Sequence, residues 1–384
     1  MGDYITVNKI KNKENNHFIP YSISNKWGFI PQEKQFGEGN TYSKTNKATN
    51  YIVEPNTFAY NPARINVGSI AYQNNQFPVI VSSLYEIFKA KKNLNDEFLM
   101  NWFKTEKFTR QIQKLQEGGV RQYFFIDKMQ ESRITIPFIS EQEEISKTLN
   151  QISNLIKLQQ RKTEQLKLLK KAMLQKGFTN KSAPTLRFKG FSKAWTEYPL
   201  GNLGKACSGY GFPNSEQGGN KGIPFYKVSD MNLAGNEDEM IYANNYVTDA
   251  QIDRNNWKPI VDVPAIFFAK VGAAVLLNRK RLCKRPFLLD NNTMAYSLNK
   301  NILSTQFTKS LFETINLPSF IQVGALPSYN TNDIESIKVK IPKIDEQEKI
   351  GILLKKIERL ITRQQSKIKK LHSTKQFLLQ NMFI

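Results

Sequence analysis

The segment Ile136-Pro137-Phe138-Ile139-Ser140-Glu141-Gln142-Glu143 returns as Ile341-Pro342-Lys343-Ile344-Asp345-Glu346-Gln347-Glu348, at an offset of 205 residues. The register then holds without a gap, carrying Ile145 onto Ile350, Leu149 onto Leu354, Ile152 onto Ile357 and Ile156 onto Ile361, then Gln159 onto Gln364, Leu166 onto Leu371 and Phe178 onto Phe383. A chain built this way contains two copies of one structural unit. In each copy the apolar positions step by four and then three, which is the seam of a coiled coil. Pro137 and Pro342 stand just ahead, where a fixed φ and a missing N–H end a strand but would break a helix. Helices are therefore expected over 141–178 and 346–384, with Glu141 and Glu346 suited to the positive N-terminal ends. At about 1.5 Å per residue the first is a rod of roughly 57 Å.

Gln159 and Gln364 fall on the seam near the middle of each rod. Burying an amide costs about 1–3 kcal/mol unless it finds a partner. If the helices pair antiparallel about a pseudo-two-fold axis, their midpoints meet and the two glutamines can satisfy one another and fix the register. A solvated glutamine on a wet seam is the alternative.

The stretches that precede the helices repeat more faintly. The first has strand-like runs at 18–24, 57–60 and 77–88, a helix over 95–116 ended by Gly118-Gly119, then Tyr123 and a strand at 132–136. The second repeats the order at 223–229, 265–270 and 290–298, a helix over 304–315, Gly324, Tyr329 and a strand at 334–341. Each reads as an α+β domain, so the plan is domain 1–140, helix 141–178, a small polar linker at 177–184 into domain 179–345, and helix 346–384.

Lys plus Arg number 55 against 33 Asp plus Glu, a net charge of +22, while 40% of residues are apolar. The composition is globular, and the excess calls for a polyanion, with nucleic acid first among partners. Cys207 and Cys283 form no paired motif for zinc or redox work. No apolar run is long enough for a membrane span and no signal core opens the chain, so a cytoplasmic location is expected.

Catalytic motifs do not emerge. There is no phosphate loop, dinucleotide fingerprint, zinc-protease helix or nucleophile elbow, and His17 and His372 lie in different halves. Asn61-Pro62-Ala63-Arg64 lacks the second proline and the aromatic ring that would stack on a flipped base. No active site and no metal site are expected. The residue types that read DNA crowd the loops instead. Candidates in the first domain are Lys44, Lys47, Asn61, Arg64, Arg121 and Gln122; in the second they are Lys227, Ser229, Lys270, Arg279, Lys280 and Arg281. For each, a solvated charge or polar group is the competing explanation.

With these features the chain resembles the DNA-specificity subunit of type I restriction-modification systems. The likeness rests on the paired Ile-Pro-x-Ile-x-Glu-Gln-Glu turns and long helices, on Pro184-Thr185-Leu186-Arg187-Phe188-Lys189-Gly190-Phe191 running to Trp195, on Ile223-Pro224-Phe225, and on Lys270-Val271-Gly272-Ala273. The resemblance implies two target-recognition domains held apart by an antiparallel coiled coil and reading a bipartite, asymmetric site in double-stranded DNA. It implies a subunit that is not itself an enzyme, working with two methyltransferase subunits and two restriction subunits. S-adenosylmethionine, ATP and Mg2+ would belong to those partners, with no cofactor on this chain. One departure is visible: Met1-Gly2-Asp3 aligns with Leu200-Gly201-Asn202, so residues 184–199 have no counterpart ahead of the first domain. The competing functions are a stand-alone DNA-binding regulator that dimerises through its coiled coil, a self-contained restriction or methyltransferase enzyme, and a structural adaptor.

Overall fold

The computed structural model describes residues 1–37, 47–119, 122–178, 184–321 and 328–383. Two compact units emerge, 1–160 together with 366–384, and 161–365. The division falls inside the long helices, not at their ends, so each helix gives one half to each unit. The first long helix is Ile139–Gly177 and the second Ile344–Asn381. Both start two residues earlier than the acidic first turn alone suggests, because Ile139 and Ile344 are already two positions clear of the prolines.

The first unit is built on a four-stranded antiparallel sheet, in the order Ile5–Val7, Glu86–Ala90, Thr57–Tyr60, Ile70–Gln73. The second unit has a sheet of the same order and sense: Gly204–Ser208, Thr293–Leu298, Ala265–Ala269, Lys280–Cys283. The strands Thr57–Tyr60 and Ala265–Ala269 are buried throughout, as the run of apolar residues in each requires.

Each core takes in the ends of both long helices. In the first unit Phe383, from the end of the second helix, sits 4.8 Å from the ring of Phe98, in one core with Ile145 and Leu149 from the start of the first. In the second unit Phe178, at the end of the first helix, sits 5.2 Å from Phe307, in one core with Ile350 from the start of the second. Within each unit the two helices therefore run in opposite directions. The seam positions agree: Ile145, Leu149, Ile156, Leu354, Ile357 and Gln364 are buried, and Ile152, Gln159, Leu166, Ile350, Ile361 and Leu371 are half-buried. The buried Gln364 Oε1 accepts no hydrogen bond among the described residues.

Three local expectations are corrected. The 95–116 segment is two helices, Asp96–Trp102 and Glu106–Leu115, because Thr105 caps a new start by accepting from the Phe108 N–H at 3.3 Å. Residues 334–341 form a strand only from Lys338, since Asn330 caps the short helix Thr331–Glu335. Residues 132–136 form no strand. The matching strand in the second unit, Lys338–Ile341, is held by Thr196–Pro199, and among the described residues no strand pairs with 132–136. The flanking contact survives. The Met1 amine donates to the Ser132 carbonyl at 2.6 Å, as the Leu200 N–H donates to the Ile337 carbonyl at 2.9 Å.

Candidate nucleic-acid interface

What fixes each sheet against its helix is the glutamine of the repeated turn. Gln347 is buried and makes three bonds: its Oε1 accepts from the Ser304 N–H at 3.0 Å, and its Nε2 donates to the carbonyls of Ile302 at 3.0 Å and Pro342 at 2.9 Å. Gln142 makes the same three, from the Asn95 N–H at 2.8 Å and to Asn93 at 3.1 Å and Pro137 at 2.9 Å. An amide can donate and accept together, so one side chain ties the start of the helix beside each sheet to the first turn of the long helix. The signal for these residues was in the repeat, where Gln recurs at the same place, but spacing alone gave it no role.

Held this way, each sheet presents one end. In the second unit, strand pairing puts Ser208, Ala269 and Thr293 at the same end, with Lys270 one residue beyond. Lys270 donates to the Ser208 Oγ at 2.7 Å, and its backbone N–H donates to the Asn292 carbonyl at 2.8 Å. Arg279 precedes Lys280, which lies opposite Phe268, so Arg279 belongs to this end too; it donates to Asn232 Oδ1 at 2.7 Å. Lys227 arrives from the neighbouring strand Ile223–Tyr226, and the Asp290 N–H donates to the Tyr226 carbonyl at 3.0 Å. Lys227 donates to Gln217 Oε1 at 3.2 Å and lies close enough to Asp290 to favour its charged form, against the burial that holds that carboxyl above its usual range. Ser229 follows, exposed in the turn Val228–Asn232.

Two members of the basic run are differently placed. Lys280 is not a surface cation, and this corrects its assignment to the DNA-contact set. It is 8% exposed, donates to Asn278 Oδ1 at 2.6 Å and to the Ile315 carbonyl at 2.7 Å, and burial pushes its amine down to about 8. Arg281 is half-buried, with Nε donating to the Asn236 carbonyl at 2.6 Å and Nη1 to that of Lys280 at 3.0 Å. Strand alternation explains the inward lysine: neighbours in Lys280–Cys283 point to opposite faces.

In the first unit the strand Thr57–Tyr60 ends at Asn61, whose Oδ1 accepts from the Ala63 N–H at 3.0 Å and turns the chain toward Arg64. Arg64 is exposed and makes no ion pair among the described residues. Exposed Gln122 joins it, because the Phe124 N–H donates to the Pro62 carbonyl at 3.0 Å. At the same end, Lys9 meets the buried Glu86 at 2.5 Å. Lys47 opens the turn Lys47–Thr49, ahead of a strand in another sheet. Lys44 and Arg121 lie outside the described residues.

Among the described residues no group of three or more His, Cys, Asp and Glu could hold a metal ion, and no helix is long and apolar enough to cross a membrane. The family described as Type I restriction modification DNA specificity domain matches residues 1–168 and 192–372. The chain belongs to this family. A relative from Methanocaldococcus jannaschii, described as a putative type I restriction enzyme MjaX specificity subunit, is 26% identical over 69% of this chain and 61% of its own length. The MjaVIII specificity subunit of the same organism is 24% identical over 74% of this chain and 68% of its own. The chain therefore spans less than two thirds of the first of these relatives. Among solved structures, the HsdS subunit of Thermoanaerobacter tengcongensis covers the whole chain and 95% of its own at 14% identity and a TM-score of 0.52. The S subunit from M. genitalium does so over 94% of its own length at 15% identity and 0.58. At these identities the structures establish the fold. Both matched segments contain one sheet, one glutamine clamp and most of one long helix, so the specificity-domain family accounts for the repeat.

Proposed function

We propose that this chain is the non-catalytic subunit that gives a type I restriction-modification complex its DNA sequence, reading two unlike half-sites in one duplex. The observation that carries this reading is a shared frame with unshared ends. Both units repeat the sheet order and the glutamine clamp, yet one presents Asn61, Arg64 and Gln122 while the other presents Lys227, Ser229, Lys270 and Arg279. Arginine and lysine grip guanine edges or phosphate, and asparagine and glutamine suit adenine. Different readers on one frame imply an asymmetric, bipartite target. The long helices set the unread gap between its halves.

Partners follow from this reading: two methyltransferase subunits that use S-adenosylmethionine and two restriction subunits that use ATP and Mg2+, with no cofactor on this chain. The test is to map methylated adenines in DNA treated with the complex assembled on this subunit. Arg64→Ala is expected to relax one half-site only, by about 1–3 kcal/mol for a lost base contact. One extra turn in the first long helix is expected to keep both half-sites and widen the gap. Methylation at unchanged sites by both variants would reject the proposal. Tight, site-specific binding by the isolated chain with no effect on methylation would favour a stand-alone regulator.

A further inference from the structure

The glutamine clamps give the correspondence between the two units. Asn95 stands where Ser304 stands, and Phe98 packs on Phe383 as Phe307 packs on Phe178. The same register puts Lys104 at the place of Glu313, and the offset of the long helices puts Lys375 at the place of Lys170, Ser153 at that of Glu358 and Lys157 at that of Thr362.

In the second unit this place holds a closed ion network. Lys170 lies 2.6 Å from Glu313 and 2.5 Å from Glu358, and Glu358 also holds Lys309 at 3.0 Å, with Asp238 on the same ammonium. In the first unit the acids are gone. Ser153 turns its hydroxyl to its own helix, donating to the Leu149 carbonyl at 2.7 Å, and Glu313 is replaced by a lysine. Lys104 and Lys157 are exposed, Lys375 is half-buried, and none of the three makes an ion pair among the described residues. They lie close enough to repel: surrounding protein atoms first, then Lys375 and Lys157, push the Lys104 amine down to about 8, and desolvation with Lys157 lowers Lys375.

We propose that Lys104, Lys157 and Lys375 form a docking site for the carboxylates of an acidic segment on a partner protein. The sister unit argues for carboxylate over phosphate, because there the equivalent lysine is met by two glutamates carried on neighbouring helices. The elements argue the same way. These lysines stand on the long helices and beside the helix Asp96–Trp102, whereas Asn61 and Arg64 stand at a strand end. The inference rests on the proposed function only in requiring that the chain works within a protein assembly.

The test is lysine acetylation by acetic anhydride, read residue by residue by mass spectrometry, on the full chain alone, with a target duplex, and assembled with its methyltransferase subunits. Labelling of the three lysines is expected to fall several-fold on assembly and to stay unchanged with DNA alone. Protection by DNA alone, or by neither, overturns the proposal. Lys104→Glu is expected to pair with Lys375, remain folded, bind DNA like the parent chain and associate with the methyltransferase subunits about ten-fold more weakly. Lys104→Gln should lie between and covers the case in which the glutamate misfolds. Unchanged association in the folded variants also overturns the proposal. Failure of the unaltered chain to direct methylation counts against the proposed function instead, and the two failures are thus distinguishable.

Discussion

The two long helices start from the same sequence turn and meet different surroundings. Glu346 is 2% exposed because Arg187 grips it with two nitrogens, Nε at 2.7 Å and Nη2 at 2.8 Å, while its counterpart Glu141 is exposed. Beside them Trp195 packs into the core of the second unit and Thr196–Pro199 pairs with Lys338–Ile341; in the first unit residues 132–136 are irregular and Phe138 is 87% exposed. What both starts retain is the glutamine clamp. The frame is thus carried by a few bonds internal to the repeat, and the electrostatic dressing around it is free to differ between units.

The largest expected contrast is at the ion network. Glu358→Ala strips Lys170 and the buried Lys309 of a shared carboxylate and should cost about 3–5 kcal/mol, whereas Ser153→Ala should cost under about 0.5 kcal/mol. Denaturant unfolding of the full chain measures both, and equal losses would break the comparison. Next come the clamps. Gln347→Ala and Gln142→Ala each leave one N–H and two carbonyls without their bonds, and about 2–4 kcal/mol is expected from each. A large effect at only one of them would show that the frame is not common to both units. Arg187→Ala should cost about 2–3 kcal/mol by leaving Glu346 buried without its cation, while Glu141→Ala should leave the unfolding midpoint nearly unmoved.

The smallest expected effect is a pH dependence in the second unit. The Lys280 amine titrates near 8 in the folded chain and near 10.5 when unfolded, so between these values the unfolded chain binds more protons. Stability should therefore rise with pH across this window, by about 2 kcal/mol, and Lys280→Met should remove the rise. A parent chain and variant that change in parallel from pH 8 to 10 would show that Lys280 carries no such penalty.

Much of the frame is legible in the sequence. The four-and-three spacing and the prolines at 137 and 342 mark both helices within three residues at each end, and the offset of 205 marks the repeat that the two units then display. The split at Thr105 is less visible, because a capping threonine inside an apolar pattern competes with a continuous helix only once its hydroxyl has found the Phe108 N–H. The basic run 279–281 reads as three candidates for contact with DNA. Only one of them, Arg279, ends up at the sheet end with Lys270, because strand alternation and the carbonyl of Ile315 draw Lys280 inward. Gln122 could be named a candidate, but its position beside Arg64 comes from a bond between Phe124 and Pro62 that links distant segments.

Periodicity, proline placement and the recurrence of one motif were enough to determine two rods and two copies of a mixed domain, since these depend on neighbours a few residues apart. Which charges neutralise one another inside a unit, and which are left facing solvent, was decided by tertiary structure. Coulomb attraction and desolvation depend on distance through space, and Lys375 and Lys170 occupy matching places in the repeat with opposite company.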